Sequence, residues 1–133
     1  MARSTISSAV DASALLALMF TEQGAERFLS LAGQRPAMST VNWSEVHQKL
    51  IQHGVDGRRL LSAVLDAGLE IMDLTVDRAE RTADLWPATR LLGLSLGDRA
   101  CLALALELRR PAVTADRSWS RLEIDGLDVH SLR

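Results

Sequence analysis

Apolar positions recur along the chain at two periods, short β-prone runs and longer helical ones, and the two kinds alternate. Thr5 to Val10 reads as a first strand closed by Asp11, and a short helical run, Ala12 to Leu18, starts directly after it. Gly24 to Ala32 carries Phe28, Leu29 and Leu31 in a second helix, and the turn Gly33-Gln34-Arg35-Pro36 leads into a strand from Ala37 to Thr40. A third helix, from about Asn42 to His53, aligns Trp43, Val46, Leu50 and Ile51 in an apolar stripe. Glu45 falls nearly opposite the centre of that stripe, so periodicity alone makes it a solvated residue that complements the helix dipole. Gly54 to Gly68 gives a fourth helix through Leu60, Leu61, Val64 and Leu65, and Leu69 to Leu74 alternates like a strand. Thr75 to Leu92 follows as a long amphipathic helix that Pro87 kinks or divides after Trp86, because proline cannot donate the interior hydrogen bond.

The stretch from Leu94 to Trp119 is the most informative. Asp98 opens a helical run that is apolar almost all round, which implies burial, and the run ends at Arg109-Arg110-Pro111. The β-prone Ala112-Val113-Thr114 then delivers the chain to Asp116, a polar turn runs on to Leu122, and Leu127 to His130 reads as a last edge strand. On a helical wheel Asp98 shares a face with Cys101, Leu102 and Ala105, so its carboxylate points to the core side. A carboxylate leaving water needs compensation. Ser95-x-x-Asp98 fits a capping box, which supplies some; a metal ion shared with other acids is the alternative.

Strands alternating with helices predict a mostly parallel sheet covered on both faces, an α/β three-layer sandwich. With 133 residues, 47% of them hydrophobic, the chain is expected to fold as a single domain over 1–133. The single cysteine, Cys101, excludes an internal disulfide and reads as core packing. No apolar run approaches the roughly 18 residues of a membrane span. Met1-Ala2-Arg3 leads straight into strand-like residues without a signal-peptide pattern, so a soluble cytoplasmic protein is expected.

In that architecture Asp11 and Asp116, both at strand ends, can meet at the rim where parallel α/β sheets collect ligands, and the helix beginning at Asp98 can add its first turn. Capping of the following helix is the ordinary alternative for Asp11. Clustered carboxylates stay ionised only if cations neutralise them, and hard oxygen ligands select Mg²⁺ or Mn²⁺. Such a site supports phosphodiester hydrolysis. The net charge of −2 argues against a nucleic-acid binder at first sight. Setting Asp11, Glu45, Asp98 and Asp116 aside, however, leaves 13 acidic residues against 15 basic ones, a mildly basic surface around an acidic hole. His47, His53 and His130 lack metal-ligand spacing, and there is no G-x-S-x-G or glycine-rich phosphate loop.

The segments VDASALLAL, NWSEV, LSLGDRACLALA and TADRSW, four in order with an acid in each, resemble the PIN-domain ribonucleases, specifically VapC-type toxins of bacterial toxin–antitoxin pairs. The likeness spans nearly the whole chain. It implies that Asp11, Glu45, Asp98 and Asp116 are a catalytic quartet holding Mg²⁺ or Mn²⁺, which reverses the wheel-based reading of Glu45. It further implies a five-stranded central sheet, homodimers, and endonucleolytic cleavage of tRNA or rRNA silenced by a cognate antitoxin. Thr114 matches a position where the family often has a hydroxyl, and Ser13 and Asn42 lie within the motifs as supporting groups. Arg99 and Arg117 each follow an acid and are candidates for RNA phosphates, with ordinary surface arginine as the alternative. The apolar segment Leu15 to Phe20, with Phe28 and Leu29, fits an antitoxin groove, core or a dimer interface equally. Two other functions remain open. One is a PIN-like module that only binds RNA or a partner. The other is a haloacid-dehalogenase-type phosphatase, against which stands Ser13, where that chemistry wants a second aspartate.

Overall fold

The computed structural model describes residues 5–20 and 22–133. The opening Met1-Ala2-Arg3 lies outside the described residues. Five strands, β1 (Ser8–Val10), β2 (Pro36–Ser39), β3 (Glu70–Met72), β4 (Ala112–Thr114) and β5 (Val129–Ser131), form one sheet in the order β3-β2-β1-β4-β5. All four pairings are parallel, so the expected mostly parallel sheet is parallel throughout. The first strand is shorter than its β-prone run.

Strand alternation divides the core in two. Val10, Met38 and Val113 face α1 (Ala12–Phe20), α2 (Glu22–Ala32), α3 (Thr40–Gln52) and α4 (Arg58–Asp66), where they meet Leu15, Phe28, Val46, Leu50 and Leu61. On the opposite face Ala9 is in register with Ala37 on one side and Ala112 on the other. Alanine is a poor strand former. A row of three provides a low surface, and α7 (Leu96–Leu108) lies on it through Cys101, Leu102 and Ala105. The Cys101 thiol is 3.7 Å from the Ala9 carbonyl oxygen, which accepts from it.

Helix α5 (Val76–Asp84) backs α7, and Arg78 donates to both carboxylate oxygens of Glu107 at 3.0 Å, a bidentate tie between the two helices. The long helix expected over 75–92 ends at Asp84; a short α6 (Trp86–Thr89) with Pro87 in its first turn and a 3₁₀ turn over Arg90–Leu92 follow. Pro87 has no N–H to continue α5, and proline is tolerated in a new first turn. Helix α7 starts in a complete capping box. Ser95 Oγ accepts from the Asp98 N–H, and Asp98 Oδ2 accepts from the Ser95 N–H at 2.9 Å. It stops where Arg109 adopts a left-handed φ of 55° ahead of Pro111. Among the described residues, no helix is long and apolar enough to cross a membrane.

Candidate active site

Asp11 follows the last residue of β1 and is 3% exposed. Its Oδ1 accepts from the Ala14 N–H at 2.9 Å and from Ser13 Oγ at 2.8 Å; its Oδ2 accepts from Thr114 Oγ1 at 2.6 Å. Three donors on a carboxylate with about four acceptor positions leave room for one more ligand. Burial pushes the Asp11 carboxyl up to about 6, against the opposing pull of the bonds from Thr114, Ala14 and Ser13, and the charge of Asp98 raises it further. The two hydroxyls also stitch the rim together: Ser13 Oγ accepts from the Ala115 N–H, and Thr114 Oγ1 accepts from the Asp116 N–H.

Glu45 is half-buried, and the wheel-based expectation of a solvated side chain is corrected. The buried face of α3 is Asn42, Val46 and Leu50, and Glu45 stands beside it, turned toward α7. Its Oε1 accepts from Asn42 Nδ2 at 2.8 Å, and the same nitrogen donates to the Gly97 carbonyl at 3.0 Å. The carboxylate lies so close to Gly97 that a Cβ there would stand 2.3 Å from Oε1 and 2.6 Å from Cδ and Oε2. Sequence reasoning missed Gly97. The available signal was a glycine in the first turn of a helical run, where alanine is better by roughly 1 kcal/mol unless something needs the space.

Asp98 is half-buried, with Oδ2 engaged in the capping box and Oδ1 turned to no hydrogen-bond donor among the described residues. The capping reading and a ligand role are therefore compatible. Burial, and then the charges of Asp11, Asp98 and Glu45, hold the Cys101 thiol well above its usual range. The charge of Asp98 thus acts on Asp11, and those of all three acids, from the end of β1, α3 and α7, act on Cys101.

Asp116 is tied to them through Thr114 but is exposed. Its Oδ1 caps the 3₁₀ turn Arg117–Arg121 by accepting from the Ser118 N–H, and it borders a cleft of about 830 Å³ with Ser13, Phe20, Arg117 and Arg133. Arg117 is exposed on that cleft, as a phosphate contact requires. Arg99 is placed differently. It is half-buried, Nη1 donates to the Thr82 carbonyl of α5, and Nε is buried without a partner among the described residues. The position after Asp98 on α7 reaches the neighbouring helix.

Among the described residues no three His, Cys, Asp or Glu side chains are grouped as a ready-made cage for an ion. The donor chemistry still suits Mg²⁺ or Mn²⁺. Such ions keep several waters and take only one or two carboxylates directly. Here the charge of Asp98 bears on the buried Asp11, and the buried Asn42 Oδ1 beside Glu45 has no partner among the described residues.

No curated protein matches the chain. Among solved structures, it is similar to a toxin–antitoxin complex from Klebsiella pneumoniae (23% identity, TM-score 0.74, covering 96% of this chain and 98% of the other). It is similar also to DNA-bound VapBC from Salmonella typhimurium (17%, 0.73, 97% and 100%) and to VapBC-5 from Mycobacterium tuberculosis (19%, 0.67, 95% and 98%). The PIN domain profile matches residues 9–125, nearly the whole sheet and the segments that carry all four acids. The chain belongs to the PIN domain family.

Proposed function

We propose that this protein is a Mg²⁺- or Mn²⁺-dependent endoribonuclease, the VapC-type toxin of a toxin–antitoxin pair, which cuts tRNA or rRNA and so stops translation. The observation that carries the reading is that the Glu45 carboxylate lies against Gly97, the residue before Asp98 at the start of α7, while the charge of Asp98 reaches the buried Asp11. Asp11, Glu45 and Asp98 would hold the ion, directly or through its waters, with Asp116 at its exposed edge. When bound, a divalent ion polarises the phosphodiester and acidifies a water.

The chain's own residues do the rest. Above pH 6 Asp11 is ionised and its three donors fix the carboxylate, while Asn42 orients Glu45 by holding Oε1. RNA approaches through the cleft beside Asp116, where Arg117 and Arg133 meet phosphates and the floor of Leu16, Ala17 and Phe20 takes a base. Hydrolysis adds water across the P–O3′ bond, the leaving 3′-oxygen taking up a proton.

The similar structures from Klebsiella pneumoniae and Salmonella typhimurium are toxin–antitoxin and VapBC complexes, which supports a cognate antitoxin as partner here. An apolar cleft of about 330 Å³ between α1, α2 and α4, lined by Leu18, Met19, Phe28, Leu29, Leu60 and Val64, suits the apolar face of an antitoxin helix. Homodimers and a cytoplasmic location belong to the same proposal.

The test is RNA cleavage with and without Mn²⁺ by the wild type and Asp98→Asn. Asparagine keeps an oxygen for the Ser95 N–H, so the variant is expected to melt like the wild type and to have lost cleavage. Full activity in Asp98→Asn refutes the role given to it. A second reading, a module that binds RNA without cutting it, is favoured by the lack of a ready-made three-residue cage among the described residues. Mn²⁺-independent RNA binding with no cleavage by the wild type would establish it.

A further inference from the structure

Gly97 has an ordinary helical backbone and lies in the first turn of α7, so conformational freedom does not account for a glycine there. Space does. The three atoms nearest to a methyl group there are all from the Glu45 carboxyl group, and Gly97 itself is buried. Asn42, 1% exposed, binds both sides of the contact, holding Glu45 Oε1 and the Gly97 carbonyl with one nitrogen. We infer that the bare Cα of Gly97 is the seat of the Glu45 carboxylate, and that Gly97 and Asn42 are positioning residues which decide where this acid stands at the rim. The inference deepens the proposed nuclease reading, on which its consequence for metal binding rests.

A methyl group at 97 displaces the end of a flexible side chain rather than backbone, so the expected damage is to Glu45 and not to the fold. The experiment is a double-mutant cycle with Gly97→Ala, Glu45→Ala and the pair, measuring melting temperature in metal-free protein and Mn²⁺ affinity by calorimetry. With Glu45 truncated, Gly97→Ala is expected to raise the melting temperature by about 2–4 °C, the ordinary gain from alanine in a helix. With Glu45 present that gain is expected to vanish. Mn²⁺ affinity should fall about 10–100-fold in Gly97→Ala, as when other residues orienting a ligand are lost. Adding Gly97→Ala to Glu45→Ala should not lower it further.

An equal rise in melting temperature in both backgrounds would overturn the inference, because the methyl group would then not meet Glu45. Unchanged Mn²⁺ affinity in Glu45→Ala would instead overturn the ligand role of Glu45. The melting cycle would still decide whether Gly97 is its seat.

Discussion

Replacing Asp11 by asparagine should make the metal-free protein more stable at neutral pH, although Asp11 is one of the proposed metal ligands. Its carboxyl titrates near 3.8 in an unfolded chain and at about 6 in the fold, with burial as the main cause. Between those values the native state holds a proton that the unfolded state has released, so stability falls as pH rises from about 4 to 6 and is level above. A shift of roughly two units corresponds to about 3 kcal/mol. Asparagine is neutral and nearly the same shape. It keeps an acceptor for the Ala14 N–H, while the hydroxyls of Ser13 and Thr114 can turn to accept from its amide. Allowing about 1 kcal/mol for weaker hydrogen bonds leaves a net gain of about 2 kcal/mol, or roughly 8 °C in a domain of this size. Thermal melts in EDTA from pH 4.5 to 8 should therefore show Asp11→Asn above the wild type at pH 7.5, with the two curves converging near pH 4.5. Millimolar Mn²⁺ should reverse the order at pH 7.5, since an ion at 100 times its Kd stabilises only the wild type, by about 2.7 kcal/mol. A variant less stable than the wild type by the same amount at every pH would refute the argument, because the aspartate would then be stabilising the fold through its bonds alone.

Thr114→Val removes one hydroxyl that donates to Asp11 Oδ2 and accepts from the Asp116 N–H, so a loss of about 1–3 kcal/mol is expected in urea unfolding at pH 7. The loss should shrink by pH 4.5, where Asp11 is protonated and less in need of that donor. Arg117→Ala should weaken binding of single-stranded RNA in EDTA and lower the magnitude of its salt dependence by about 0.7, one phosphate contact fewer. An unchanged slope would place the RNA elsewhere.

Most of the sheet was legible because its signals are local. A β-prone run, a turn residue and a helical period each lie within a few neighbours of one another, and the capping box at Ser95 and Asp98 could be read letter by letter. Glu45 shows where such reading stops. A wheel weighs a helix against an assumed single buried face, whereas the partner that draws Glu45 inward, Gly97, is 52 positions away and contributes the absence of a side chain. Arg99 shows the same limit: adjacency to an acid in sequence says nothing about α5, whose Thr82 carbonyl accepts from its guanidinium. The residues that position the acids are mostly small ones. Ala9, Ala37 and Ala112 let α7 lie low on the sheet, and Gly97 lets α3 bring its carboxylate to the start of that helix. Hydrophobic periodicity weights large side chains, so it marks what fills a core and passes over what admits a close approach. The acids announce that chemistry is available, and the small residues around them determine where it can occur.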